Sequence, residues 1–206
     1  MQKRIAKPKI EFDEEKHIYT VDGVRMPSVT EILAPITAKT YGEISKEVLR
    51  MAADRGTIVH KACEEIDYGL ETEVPVEYEG YVEAYIAFLN DYRPDWSGIE
   101  QMVYNGDCGY CGTVDRYGMM LGSEWVVDIK TTTSPTKYTK MSGCCQTIAY
   151  RDAIVTTKKR GLLYLKRTGE YSFVDCEKWS EKHHFNAEKA WQICLELYDT
   201  IERGER

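Results

Sequence analysis

The alternation of apolar and polar positions predicts most of the elements before any chemistry is considered. Residues 9–22 alternate in the manner of a hairpin: Ile10 and Phe12, an acidic turn at Asp13-Glu14-Glu15, then Ile18-Tyr19-Thr20-Val21 running into Asp22-Gly23. Pro27-Ser28-Val29-Thr30 reads as a helix entry, with Ser28 or Thr30 as the cap ahead of Ile32-Leu33. Over 43–68, Ile44, Val48, Met51, Ile58, Val59, Ala62 and Ile66 recur at helical spacing and predict one apolar stripe, with Gly56 as the place where the stretch divides into two helices. Glu71 to Glu83 carries five Glu and no Lys or Arg, a solvated loop leading into a helix at 79–91.

The middle of the chain is strand-like. Ile99–Tyr104, Gly112–Met120 and Trp125–Thr131 predict three strands, the last two joined near Leu121-Gly122-Ser123. A helix at about 138–154, strands at Gly161–Lys166 and Tyr171–Val174, and a last helix from Asn186 as N-cap through Trp191, Cys194, Tyr198 and Ile201 complete the chain. The order is helices, three strands, helix, two strands, helix. It predicts an α/β (α+β) fold, a central mixed β-sheet flanked by helices.

Composition narrows the classes. A chain of 206 residues, 43% hydrophobic, can bury roughly 70% of its unfolded surface without disulfide or metal staples. Mean hydropathy is −0.47, and no apolar run approaches the roughly 18 residues of a membrane span. The first residues turn acidic by Glu11 without an apolar core, unlike a secretory signal. With no repeat and no linker, the reading is one domain over 1–206, carrying an N-terminal hairpin and helix extension at about 1–42. Net charge is −7, which argues against holding nucleic acid by a basic surface alone, because phosphate neutralisation dominates such binding. It leaves room for basic groups gathered in a cleft. Seven cysteines, an odd number, without a signal peptide, are read as reduced thiols in a cytoplasm.

The densest chemical signal is Trp125-Val126-Val127-Asp128-Ile129-Lys130, which puts Asp128 and Lys130 on one strand face and Val127 and Ile129 on the other. Gly112-Thr113-Val114-Asp115 supplies a second carboxylate. A hairpin turning on Leu121-Gly122 places Asp115 across from Asp128; one turning on Gly122-Ser123, which suits a turn with Gly first, places it across from Lys130. Two such carboxylates repel unless a cation lies between them, and hard oxygen ligands with open positions suit Mg²⁺ or Mn²⁺. A Lys beside that ion can orient a water or offset charge developing on a phosphate. Arg55-Gly56-Thr57-Ile58-Val59-His60 puts His60 one helical turn before Glu64, and Gln146 and Tyr150 share a later helix face.

Taken in order, Arg-Gly-Thr-x-x-His (55–60), Gly-x-x-Asp (112–115), Asp-x-Lys (128–130) and Gln-x-x-x-Tyr (146–150) resemble the PD-(D/E)xK nuclease superfamily, specifically its RecB-like exonuclease branch. The stretch Phe12–Leu33 is similar to phage-type members. The resemblance implies a restriction-endonuclease-like core in which His60, Asp115, Asp128 and the backbone carbonyl of Ile129 ligate the catalytic Mg²⁺ or Mn²⁺, with Lys130 as the catalytic lysine beside Asp128 and Asp115. Gln146 and Tyr150 would position DNA or brace the site, Arg55 would contact a phosphate, and Ser28 or Thr30 would meet the strand end. Glu64 would be a second-metal ligand or a partner that orients His60. Lys137, Lys140, Arg151, Lys158, Lys159 and Arg160 are further candidates for DNA backbone contacts. The iron–sulfur cluster of some relatives is not expected, because the late cysteines are only Cys176 and Cys194.

The expectation is a metal-dependent exonuclease acting on single- or double-stranded DNA ends in phage or bacterial recombination, replication or repair, in the bacterial host cytoplasm, with a single-strand-binding or recombination protein as a further partner and no membrane. The alternatives are an endonuclease of the same fold, a non-catalytic nucleic-acid-binding or protein-interaction module, and a cysteine-based redox or zinc protein built on Cys108 and Cys111.

Overall fold

In the computed structural model, which describes residues 8–41, 44–132, 134–154 and 159–203, the first alternating stretch pairs with itself. Strands β1 (Ile10–Asp13) and β2 (Ile18–Val21) are antiparallel, with Ile10 opposite Val21. A third strand that the pattern did not reveal, β3 (Val24–Met26), follows a two-residue turn at Asp22-Gly23, both with positive φ. Three residues are too few to display an alternation. Helix α1 (Val29–Ile32) resolves the choice of cap. Ser28 Oγ accepts the Glu31 N–H at 3.1 Å and the Glu31 carboxylate accepts the Ser28 N–H at 2.8 Å, a reciprocal capping box. Helix α2 (Ala34–Tyr41) follows.

Helix α3 (Lys46–Asp67) runs through Gly56 without a break, contrary to the expected division. One helical glycine costs about 1 kcal/mol, less than the packing of the Val59, Ala62 and Cys63 turns contributes. The predicted apolar stripe is buried only there: Val48 and Met51 are 54% and 59% exposed, because the first turns reach past the surface that the rest of the helix covers. A Cβ added at Gly56 would meet no atom within 4 Å. Gly56→Ala is therefore expected to stabilise the protein by about 0.5–1 kcal/mol, raising Tm by a few degrees in calorimetry. A fall in Tm would mean that this turn needs glycine.

Helix α4 (Glu79–Tyr92) lies where the pattern put it. The main sheet then forms in chain order: β4 (Asp95–Asn105), β5 (Tyr110–Met120), β6 (Ser123–Thr131), β7 (Lys159–Leu165) and β8 (Tyr171–Asp175). All neighbours are antiparallel except β6 and β7, which are parallel and joined through α5 (Lys137–Ala153). Helix α6 (Cys176–Lys182), capped by Asp175, was not foreseen; α7 (Ala187–Tyr198) starts at Asn186 as expected. This is a mixed five-stranded sheet flanked by helices, as the order of elements predicted.

One sheet face packs Val114, Val126, Leu162 and Tyr164 against α1, α5, α6 and α7. The other packs Val127, Ile129, Leu163 and Leu165 against α3 and α4. The small sheet closes on Cys111 through Tyr19 and Val21, and Tyr19 Oη lies 2.9 Å from Thr113 Oγ1. This buttresses β5 two residues before Asp115. Among the described residues no helix is long and apolar enough to cross a membrane.

Candidate active site

The site begins at the turn between β5 and β6. Leu121 and Gly122 both have positive φ, 52° and 72°, and Met120 pairs with Ser123, so the two-residue turn is centred on Leu121-Gly122. That register sets Asp115 level with Asp128. The ladder, however, ends at Arg116 and Val127. Beyond it the strands part: Val114 joins the cluster under α5, while Ile129, level with it, packs under α3 and α4. Where backbone pairing stops, the Ile129 N–H donates to Asp115 Oδ2 at 2.6 Å.

Helix α3 brings His60 to the split. Its Nε2 lies 3.0 Å from the Ile129 carbonyl oxygen, and its Nδ1 lies 3.2 Å from Glu100 Oε1 and 3.9 Å from Asp115 Oδ1. Both hydrogen-bond partners only accept, so without a bound ion both ring nitrogens donate and the ring is cationic, and ligation would displace the proton on Nε2. Burial by itself would pull the imidazole down, but the Asp115 and Glu100 carboxylates push it up to about 9.

From the other side, Asp128 is fully buried, and its Oδ1 accepts from Lys130 Nζ at 2.8 Å. Lys130 Nζ also donates to Gln146 Oε1 at 3.2 Å, and Gln146 Nε2 donates to Tyr150 Oη at 2.9 Å. Tyr150 packs over Gly112, where an added Cβ would come within 2.7 Å of its ring. The Gly of the Gly-x-x-Asp stretch thus admits the Tyr of the Gln-x-x-x-Tyr stretch. Burial pushes the Asp128 carboxyl up against the pull of Lys130. Asp128 Oδ2 is buried and has no hydrogen-bond partner, a costly condition for a carboxylate oxygen unless a cation meets it.

The residues present fit a divalent ion. Carboxylates, an imidazole nitrogen and a backbone carbonyl are the hard donors such an ion takes. His60, Glu100 and Asp115 offer ligand atoms within 4.8 Å of one another.

The remaining predicted residues lie as follows. Arg55 donates to the Thr131 carbonyl at 2.9 Å and to Thr131 Oγ1 at 3.3 Å, tying α3 to the end of β6 beside Lys130. Glu64 lies 3.5 Å from Lys61 Nζ, while the carboxylate on the His60 ring is that of Glu100. Ser28 is 2% exposed and spent on its cap, so it presents no surface to a strand end, whereas Thr30 is exposed. Arg151 pairs with Asp152 and Glu188, each at 2.8–2.9 Å. Arg160 is buried, bonded to Glu177 and the Cys144 carbonyl, which removes it from the candidates for backbone contact. Lys137 is exposed, Lys140 and Lys159 are half-buried, and Lys158 lies outside the described residues. Cys108 packs with the α5 side and Cys111 beneath the small sheet, so the pair does not share one pocket.

Glu100 and a buried network of Arg116, Asp67 and Tyr85 were missed in the sequence. Arg116, fully buried behind Asp115, bonds Asp67 Oδ2 at 2.5 Å, Glu100 Oε1 at 2.9 Å and the Asp115 carbonyl at 2.6 Å. Tyr85 Oη donates to the same Asp67 oxygen at 2.6 Å. Glu100 stands on β4 between Ile99, opposite Arg116, and Gln101, opposite Val114. It is therefore level with Asp115. The length of the turn between Asn105 and Tyr110 carried that signal, had its register been known.

No protein-family model and no curated protein sequence matches the chain. Among solved structures it is similar to an alkaline exonuclease (LHK-Exo) from Laribacter hongkongensis, with 10% identity, TM-score 0.37, and 87% of this chain and 93% of that chain covered. The complex of LHK-Exo with dAMP gives 9% identity and TM-score 0.36, with 88% and 95% covered. The structure of SSO0001 gives 16% identity and TM-score 0.26, with 71% and 94% covered. None of the three exceeds a TM-score of 0.37, so the chemistry rests on the side chains of this chain.

Proposed function

We propose that this chain is a metal-dependent deoxyribonuclease of the PD-(D/E)xK type, RecB-like branch, hydrolysing phosphodiester bonds from DNA ends. The observation that carries the reading is the split between β5 and β6. There Asp115 accepts the Ile129 N–H, His60 Nε2 meets the Ile129 carbonyl, and the neighbouring Asp128 holds Lys130 while its second oxygen is buried without a donor. The four motif stretches of the sequence, distant along the chain, meet at this one point. A context of phage or bacterial recombination, replication or repair belongs to the same reading.

His60, Asp115, Asp128 and the Ile129 carbonyl would hold Mg²⁺ or Mn²⁺, which when bound supplies a Lewis acid for a phosphate oxygen and lowers the pKa of a coordinated water. The chain's own residues do the rest. Lys130, positioned by Asp128 and Gln146, would place its positive charge beside the attacking water and the charge developing on the phosphate. Gln146, fixed by Tyr150, limits the swing of that lysine. Asp115 accepts the Ile129 N–H and so steadies the residue whose carbonyl would be a ligand. Arg55 pins the strand end that carries Lys130.

The test is digestion of end-labelled linear DNA and a closed circle with Mg²⁺ or Mn²⁺. Loss of the linear substrate alone is the expected result. Cutting of the circle would make the protein an endonuclease of the same fold. No cleavage of either, single- or double-stranded, would leave a binding module.

A further inference from the structure

We infer that Glu100 is a positioning residue of the site: its carboxylate aims the His60 imidazole, and Arg116 backed by Asp67 holds the carboxylate in place. This inference rests on the metal-dependent reading above and assigns a part to a side chain outside all four motif stretches. Three observations on the molecule carry it.

The first is backbone geometry. Glu100 has φ +44° inside β4, a left-handed conformation that a residue with a Cβ rarely adopts. The ladder pairs Ile99 with Arg116 and Gln101 with Val114 but skips Glu100, level with Asp115. The strand is disturbed at the residue that reaches the site, and regular pairing returns on both sides. The second is the placement of the carboxylate. Glu100 Oε1 lies 3.2 Å from His60 Nδ1 and 2.9 Å from Arg116 Nη1. Holding one ring nitrogen of His60 directs the other to the Ile129 carbonyl, 3.0 Å away, where an ion would be shared. A carboxylate behind a ligating histidine fixes its ring in this way, and removing such a partner typically weakens metal binding 10–100-fold.

The third is support from behind. Arg116 is fully buried and uses its remaining contacts on Asp67 Oδ2, the Asp115 carbonyl and Tyr85 Oη. Its guanidinium therefore has one orientation, and Glu100 is held by a rigid cation rather than a mobile surface one. The line Asp67–Arg116–Glu100–His60 connects the last turn of α3 through β5 and β4 back to the middle of α3. It meets the site on the side opposite Lys130, Gln146 and Tyr150.

The test is Mn²⁺ affinity, read by electron paramagnetic resonance of free Mn²⁺ and by calorimetry on the full chain, together with Tm. Glu100→Gln, which keeps the size and removes the charge, is expected to weaken Mn²⁺ binding by about 10–100-fold. In a His60→Gln background the same change is expected to shift affinity by less than about twofold, because its effect passes through the imidazole. A purely structural Glu100 would lower Tm and act equally in both backgrounds. Should the Gln variant fail to fold, Glu100→Asp keeps the charge beside Arg116 but falls a methylene short of His60, and the same loss is expected from it. Wild-type affinity in Glu100→Gln, or an undiminished effect in the His60→Gln background, overturns the inference. A wild-type chain that binds no Mn²⁺ fails earlier and takes the metal-dependent reading with it, so the two failures are told apart.

Discussion

Lys130→Ala is expected to lower DNA turnover by about 100–1,000-fold, the loss seen when one preorganised donor to a developing charge is removed, with divalent-ion and DNA binding retained. The expectation follows from how the lysine is held. Its ammonium is fixed 2.8 Å from Asp128 Oδ1 and 3.2 Å from Gln146 Oε1, and its side chain remains 39% exposed at the surface that a phosphate would approach. Removing it also leaves Asp128 more costly to ionise, so Tm and Mn²⁺ affinity must be measured beside the rate. Turnover within a few-fold of wild type would remove Lys130 from the reaction. A rate loss matched by lost Mn²⁺ binding would move its role to supporting Asp128.

Arg116→Met is expected to be the most destabilising substitution near the site, at about 3–5 kcal/mol, because it strips the cation from two carboxylates while leaving them in place. Arg116 and Asp67 are 0% and 3% exposed, and Glu100 shares the same guanidinium. Against a total stability of about 5–15 kcal/mol, such a loss is readily measured by urea unfolding. The double variant Arg116→Met/Asp67→Asn is expected to recover part of it, since the penalty lies in the unpaired charge and not in the lost contact. Burial already lifts the Asp67 carboxyl despite the pull of Arg116. Without the guanidinium it rises further, and an acid whose folded pKa is raised loses stability as pH rises through the carboxylate range. The deficit of Arg116→Met should therefore shrink as pH is lowered through that range. A stability equal to wild type would mean that the buried network contributes nothing to folding.

The parts of the fold legible in the sequence are those whose signal is local. The α4 and α7 boundaries and the hairpin of β1 and β2 followed from alternation, caps and turn residues, all set by neighbours within a few positions, whereas the β5/β6 turn had two possible registers and only the structure placed it on Leu121-Gly122 rather than on Gly122-Ser123. Strand β3 and helix α6 escaped because three and seven residues are too short for a period to stand out. The exposed first half of α3 escaped for a different reason: Val48 and Met51 have the spacing of a buried face, and only the extent of the surface beneath decides whether that face is covered. Ser28 and Arg160 show the same limit for function. A serine before a helix and an arginine in a basic run are correct in type, but one is consumed by its cap and the other by Glu177.

By itself, the sequence determined which residue types were available and their order: Asp115, Asp128 and Lys130 on neighbouring strands, His60 on a helix before them, Gln146 and Tyr150 on one after. Alternation and turn length are short-range constraints, so they survive in a linear reading. The tertiary structure alone decided that β5 and β6 part after Arg116 and Val127. It thereby decided that Asp115 faces His60 while Asp128 meets Lys130. It also brought Glu100 and Arg116 into the site. Sheet twist and the packing of different helices on the two faces set that divergence. These forces act between segments tens of residues apart, and no local period records them.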